Sequence, residues 1–207
     1  LNDIASGKIT YDKLDNILRA DKEIVLEAIR HESFVYYDVP EILKDDREIV
    51  LASLKKYGLM LEFVSDKLKK DREIVFTAVK QCGFALKYAD KIFKEDSEIV
   101  HEAIKTDGWA LQFVGNKFFR DPEFLFLAVK YHGYAFELLP QKYKRDKNFI
   151  EKCVKKHGYI LRFIDPKLRL NYLFLEKLVK RNGYCLKYIP DVFKDDLNLA
   201  LIAVKQN

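Results

Sequence analysis

Cysteine, methionine and tryptophan are scarce in this chain of 207 residues, with 3, 1 and 1 copies, and glycine occurs only 8 times. An odd, small number of cysteines excludes a disulfide framework. No apolar run exceeds six residues, as in Phe124 to Val129, far short of the roughly 18 that a membrane-spanning helix needs. No basic-then-apolar leader opens the chain. The expected setting is therefore the cytoplasm, or the host cytosol for an effector. There is no Walker-type loop, G-x-S-x-G, C-x-x-C or H-E-x-x-H. Intrinsic disorder is excluded by what is abundant: 49% hydrophobic and 14% aromatic residues.

The few glycines are not scattered. Six of the eight, Gly58, Gly83, Gly108, Gly133, Gly158 and Gly183, stand 25 residues apart. They belong to a repeat. Asp21-Lys-Glu-Ile-Val25 recurs at Asp46, Asp71 and Asp96, then degrades at Asp121, Asp146, Asn171 and Asp196. With the Asp as position one, the glycines fill position thirteen, broken only by Ser33. Residues 21–207 thus read as one solenoid domain of seven full repeats and half an eighth. Residues 1–20 read as a degenerate half-repeat, because Leu14, Ile17 and Leu18 continue the apolar columns. Neither end carries a polar cap, and the protein is expected to continue beyond at least one of them.

Each repeat reads as helical, so the expected fold is an all-α solenoid of short two-helix units. Asp at position one is an N-cap, Glu at position three favours the positive helix end, and Pro122 suits a first helical position. Positions four, five, eight and nine form one apolar stripe, as in Ile74, Val75, Ala78 and Val79. Lys or Arg fills position ten. The glycine at thirteen is expected to end the helix in the left-handed region. A second short helix is expected to bury positions fourteen, sixteen, eighteen and nineteen, with small residues at fifteen allowing close packing. An apolar anchor at position twenty-three, such as Phe93, suggests one further helical turn.

The pattern D-x-E-I-V-x-x-A-V-K-x-x-G-x-x-L-x-Y, best matched from Asp71 to Tyr88, resembles a family of tandem repeats catalogued as a domain of unknown function, the DUF4116 type. The resemblance runs from about Asp21 to the end of the chain. It departs at Ser33, and at Asn171 and Leu173, where both acidic residues are lost. It implies a repeat fold and no activity. Such repeats occur in protists and host-associated bacteria, so it is compatible with a place in a larger protein or a bacterial effector.

No constellation in the chain suggests catalysis, a metal or a cofactor. His132 and His157 share position twelve one repeat apart, a separation of about 10 Å that one zinc ion does not bridge. Cys153 and Cys185 stand where alanine is usual and read as small buried hydrophobes, while Cys82 is less enclosed. The carboxylates recur in the cap columns.

Charge is distributed unevenly. Residues 1–103 carry 17 basic and 21 acidic side chains, net −4, and residues 104–207 carry 20 and 11, net +9. A basic docking face in the second half follows. Two binding readings arise. In the first, the chain is a non-catalytic scaffold for protein–protein interaction. In the second, the basic half binds nucleic acid through Lys155, Lys156, Lys180 and Arg181, with stacking from Trp109, Tyr134, Tyr159 and Tyr184, although helical spacing assigns those aromatics to packing. Departures from the repeat locate a partner site. Phe119 replaces a basic residue, Leu127 a polar or small one, and Tyr131 adds a ring, with Lys117, Arg120, Lys130 and Lys142 around them. This surface is expected to dock an acidic protein or a second copy of the chain.

Overall fold

The structure, a computed structural model, describes residues 1–32 and 34–206, so Ser33 lies outside the described residues. Among them every regular element is helical and no strand occurs. The fold is an all-α repeat solenoid. The chain forms two compact units, Leu1–Val114 and Gly115–Asn207.

Each repeat opens with a long helix, from Lys22–His31 and Arg47–Lys56 through Arg72–Gln81 and its successors to Leu197–Val204. The residue at position one caps it in all eight cases: an Asp carboxylate, or the Asn171 amide oxygen, accepts N–H groups of the first turn. Each such cap stabilises its helix by about 1 kcal/mol. The apolar stripe is buried as expected. Position nine is enclosed in every full repeat, from Ile29 to Val179. A short helix or turn follows late in the repeat, as in Glu41–Lys44 and Gln141–Arg145, and buries Leu68, Phe93, Phe118 and Tyr143 at position twenty-three. Residues 1–20 keep this geometry in part: Ile17 and Leu18 are exposed, because no preceding repeat packs on them among the described residues, so their expected place in the buried columns is corrected. Tyr11 and Tyr36 are equivalent, and their hydroxyls donate to Arg19 O and Lys44 O at 2.7 and 2.9 Å.

The second element differs from the expected α-helix. It is a 3₁₀ helix, as in Gly58–Phe63, Gly83–Tyr88 and Gly133–Leu138. With three residues per turn, side chains three apart eclipse. Positions thirteen, sixteen and nineteen therefore share a face, and Gly83, Leu86 and Ala89 are buried together. Position fourteen falls in line with exposed position seventeen instead. The expected core role of positions fourteen and eighteen is thereby corrected, since it assumed a period of 3.6. Positions sixteen and nineteen, and the small residue at fifteen, are buried as read.

The glycines are not left-handed. Among the described residues only Gly7 and Phe34 have positive φ, at 72° and 67°. The long helix instead ends in an extended residue at position twelve, such as Cys82 at φ −147°, ψ 110°, whose N–H bonds Ala78 O at 2.9 Å. Gly108 is thus not a left-handed cap, and a β-branched residue there meets no φ penalty of that kind. Position thirteen is glycine because of close approach. A Cβ on Gly83 would stand 2.0 Å from Ala103 O, and one on Gly58 2.3 Å from Ala78 O, in the next repeat's helix. In the second unit Gly183 faces Ala203 O in the same way, at 2.7 Å.

Ion pairs join successive repeats of the first unit. Lys22 reaches Asp46 and Glu48 at 2.9 and 3.0 Å, Arg47 reaches Asp71 and Glu73, and Arg72 reaches Asp96 and Glu98. The cation at position two of one repeat clamps positions one and three of the next. In the second unit, where Asn171 and Leu173 replace the acids, Lys147 lies over the Phe174 ring instead, at 5.6 Å. Partial burial opposes ionisation of Asp46, Asp71 and Asp96. Hydrogen bonds from helix N–H groups and the Lys22, Arg47 and Arg72 cations outweigh it and hold these carboxyls below their ordinary range.

Two outcomes follow. Gly83→Ala forces the Ala103 carbonyl to move and should destabilise the chain by about 1–3 kcal/mol in urea unfolding; an unchanged midpoint would contradict the close approach. The depressed carboxyls bind protons more weakly folded than unfolded. Their stabilisation is full above the unfolded value and is lost as pH falls below about 4. Asp71→Asn should accordingly lower the thermal midpoint at neutral pH and lower it less in acid.

Candidate interaction surface

The 3₁₀ helices leave aromatic side chains in solvent. Trp109 is 43% exposed in the first unit, and Tyr134 and Tyr184 are 51% and 68% exposed in the second. Tyr159 is half-buried, its ring 4.8 Å from Tyr134. Helical spacing had assigned this column to packing; its exposure is the direct result of the three-residue period. The chain supplies its own cations to Phe84 in this column and to several rings at position eighteen. Lys87, at position seventeen, stands 5.9 Å from the Phe84 centroid and 5.0 Å from Tyr88. Arg162 and Lys187 lie over Phe163 and Tyr188 at 5.8 and 5.9 Å.

Two concavities open on the first unit. A groove of about 860 Å³ runs between helices Lys22–His31 and Arg47–Lys56, with Leu26, Leu51 and Ala52 among its lining and Arg30, Arg47 and Lys55 beside them. A second, of about 510 Å³, lies on the 3₁₀ side and is lined by Phe34, Tyr37, Tyr57, Leu59, Phe63 and Glu62 among others. Sequence reading missed both. The signal for the second was available in position seventeen, where Lys87 is matched by Glu62 one repeat earlier.

The sequence-derived partner residues lie on and before helix Pro122–Tyr131. Phe119 and Leu127 are half-buried, and Arg120, Lys130 and Tyr131 are exposed. Leu127 and Tyr131, four residues apart, share a helix face. Phe119 precedes the other end of that ten-residue helix, about 15 Å from Tyr131, and its carbonyl accepts the Tyr143 hydroxyl at 3.5 Å. Of the basic residues, Lys180 pairs with Glu176, and Arg181 lies 3.9 Å from Glu151. Lys155 and Lys156 are exposed, with no ion-pair partner among the described residues.

Among the described residues no group of three or more His, Cys, Asp or Glu is placed to hold a metal ion. His157 Nε2 lies 3.2 Å from Lys130 O, a local contact at a helix end. Burial pushes the Cys153 and Cys185 thiols up to about 12, which disfavours the thiolate form. No helix among the described residues is long and apolar enough to cross a membrane.

The model of the family described as "Domain of unknown function (DUF4116)" matches residues 46–94, 96–144, 121–169 and 171–207. The chain belongs to this family. Every DUF4116 match begins at position one of a repeat, and the 49-residue spans cover two successive copies. The two overlapping matches are offset by one 25-residue period. No curated protein and no solved structure matches the chain.

Cys82 is half-buried while Cys153 and Cys185 are enclosed. A thiol reagent should therefore modify one cysteine in the native protein and all three after denaturation. Fast native reaction at two or more sites would contradict the packing of positions eight and fifteen.

Proposed function

We propose that the chain is a non-catalytic helical-repeat scaffold for protein–protein interaction. The observation that carries this reading is the exposure of the position-fourteen aromatics in both units. Large rings in solvent mark recognition surfaces, because they bury much area at little conformational cost. Their support within each unit is a stack of repeats, which is the usual basis of solenoid binding faces. In the second unit Leu127 and Tyr131, with Lys130 beside them, have the apolar centre and basic rim that suit an acidic protein surface. Phe119 and Arg120 extend that surface toward the start of the helix.

The test compares affinity capture by the intact chain with capture by a Trp109→Ala, Tyr134→Ala, Tyr184→Ala variant. The variant should lose the wild-type partner while keeping its thermal midpoint, since these rings lie outside the core. A companion titration with single-stranded DNA and RNA should show no specific binding. Nucleic-acid affinity that falls steeply with salt and vanishes in the variant would replace the scaffold reading.

A further inference from the structure

We infer that the aromatic cluster of the first two repeats is a docking site for the arginine or lysine side chains of a basic protein segment. This rests on the scaffold reading above and names the partner's chemistry.

The cluster is built from rings in mutual contact. Phe34 stacks on Tyr57 at 4.9 Å, and Tyr37 meets Phe63 edge-on at 4.7 Å. Phe34, Tyr37, Leu59 and Phe63 all remain largely in solvent. Phe34 holds a left-handed backbone, φ 67° and ψ 11°, an arrangement that bulky L residues avoid. Such strain concentrates at recognition sites.

Comparison between repeats identifies the occupant. In repeats three, six and seven the position-seventeen cation lies over the chain's own rings: Lys87, Arg162 and Lys187. In repeats one and two that position holds Tyr37 and Glu62, and in repeats four and five Gln112 and Glu137. Among the described residues no cation lies over Phe34, Tyr37 or Phe63. A carboxylate thus stands where the third repeat has an ammonium, and Glu62 makes no ion pair among the described residues. On the other side of Phe34 and Tyr37 a smaller cavity, about 240 Å³, is lined by Asp12, Glu32 and Asp38. Glu32 there accepts the Tyr11 N–H and Asp38 lies 3.9 Å from Arg19, while Asp12 has no ion pair among the described residues. Phe34, Tyr37 and Phe63, with Glu62 on one side and Asp12 on the other, fit an external guanidinium or ammonium group. The net −4 charge of residues 1–103 favours approach of a basic segment over an acidic one.

The experiment uses the intact chain and a fluorescein-labelled arginine–glycine repeat peptide, read by anisotropy, with a glutamate–glycine peptide as comparison. The wild type should bind the basic peptide and ignore the acidic one. Glu62→Lys restores the internal cation of the third repeat and should weaken binding at least about tenfold, and Phe63→Ala should weaken it comparably. Asp66→Lys makes the same charge change at a side chain that is 97% exposed, lies outside the ring-lined cavity and faces only Lys69 at 3.8 Å, and should leave binding within about twofold. Circular dichroism confirms that each variant is folded.

Equal losses in Glu62→Lys and Asp66→Lys would reduce the effect to diffuse charge and overturn the proposal. So would failure of the wild type to bind the peptide. If sedimentation instead reveals self-association that Glu62→Lys abolishes and the peptide does not compete for, the occupant is a second copy and the proposal is likewise overturned. Loss of the peptide interaction alone leaves the scaffold reading intact, provided that capture still depends on Trp109, Tyr134 and Tyr184.

Discussion

The contact between a glycine in one repeat and a helix carbonyl in the next sets the spacing on which the other inter-repeat contacts depend. With a Cβ at position thirteen, the Ala78 and Ala103 carbonyls would be overlapped at 2.3 and 2.0 Å. Without it, the 3₁₀ segment packs against the C-terminal turn of the following helix, and Ala at positions eight and fifteen keeps both backbones close. The same proximity brings position two of one repeat within reach of positions one and three of the next. The ion pairs of the first unit are thus a consequence of the spacing. Each is solvent-exposed and adds little stability of its own.

The tight turn after the long helix also decides what the surface offers. In a three-residue period position fourteen lines up with exposed position seventeen, while thirteen, fifteen, sixteen and nineteen face the core, so the apolar column at position fourteen is turned outward. The chain then treats these rings in two ways. It covers some with its own lysine or arginine, and it leaves others beside carboxylates. This difference, carried by a single position of the repeat, separates the first two repeats from the third.

Much of the fold was legible in the sequence because its determinants lie within one helix. The Asp cap and the stripe at positions four, five, eight and nine are local, and all were found in place. The misreadings came from determinants outside that window. Glycine at a helix end has two physical uses, a left-handed turn or a close approach, and the residue that distinguishes them here, Ala103 for Gly83, is in the following repeat. The aromatics at positions fourteen and eighteen fit a period of 3.6 in isolation. Only the packing of Gly83, Leu86 and Ala89 as one buried face selects the period of three. The pairing of Arg72 with Asp96 and Glu98 was hidden for the same reason, since partners 24 and 26 residues apart leave no periodic trace within a helix. The Phe119 and Leu127 departures were visible, but their depth of burial is set by neighbours that the repeat pattern does not specify.

Because the ion pairs between repeats of the first unit, and its Gly58 and Gly83 contacts, refer to the same numbered positions, the structural unit there is the 25-residue period itself. Excision of residues 71–95 would bring Gly58 against the Ala103 carbonyl and Arg47 opposite Asp96 and Glu98, recreating the joint it removed. Duplication would do the same in reverse. A chain of this kind can lengthen or shorten by unequal recombination without repairing its core, and each added copy can then vary position seventeen independently.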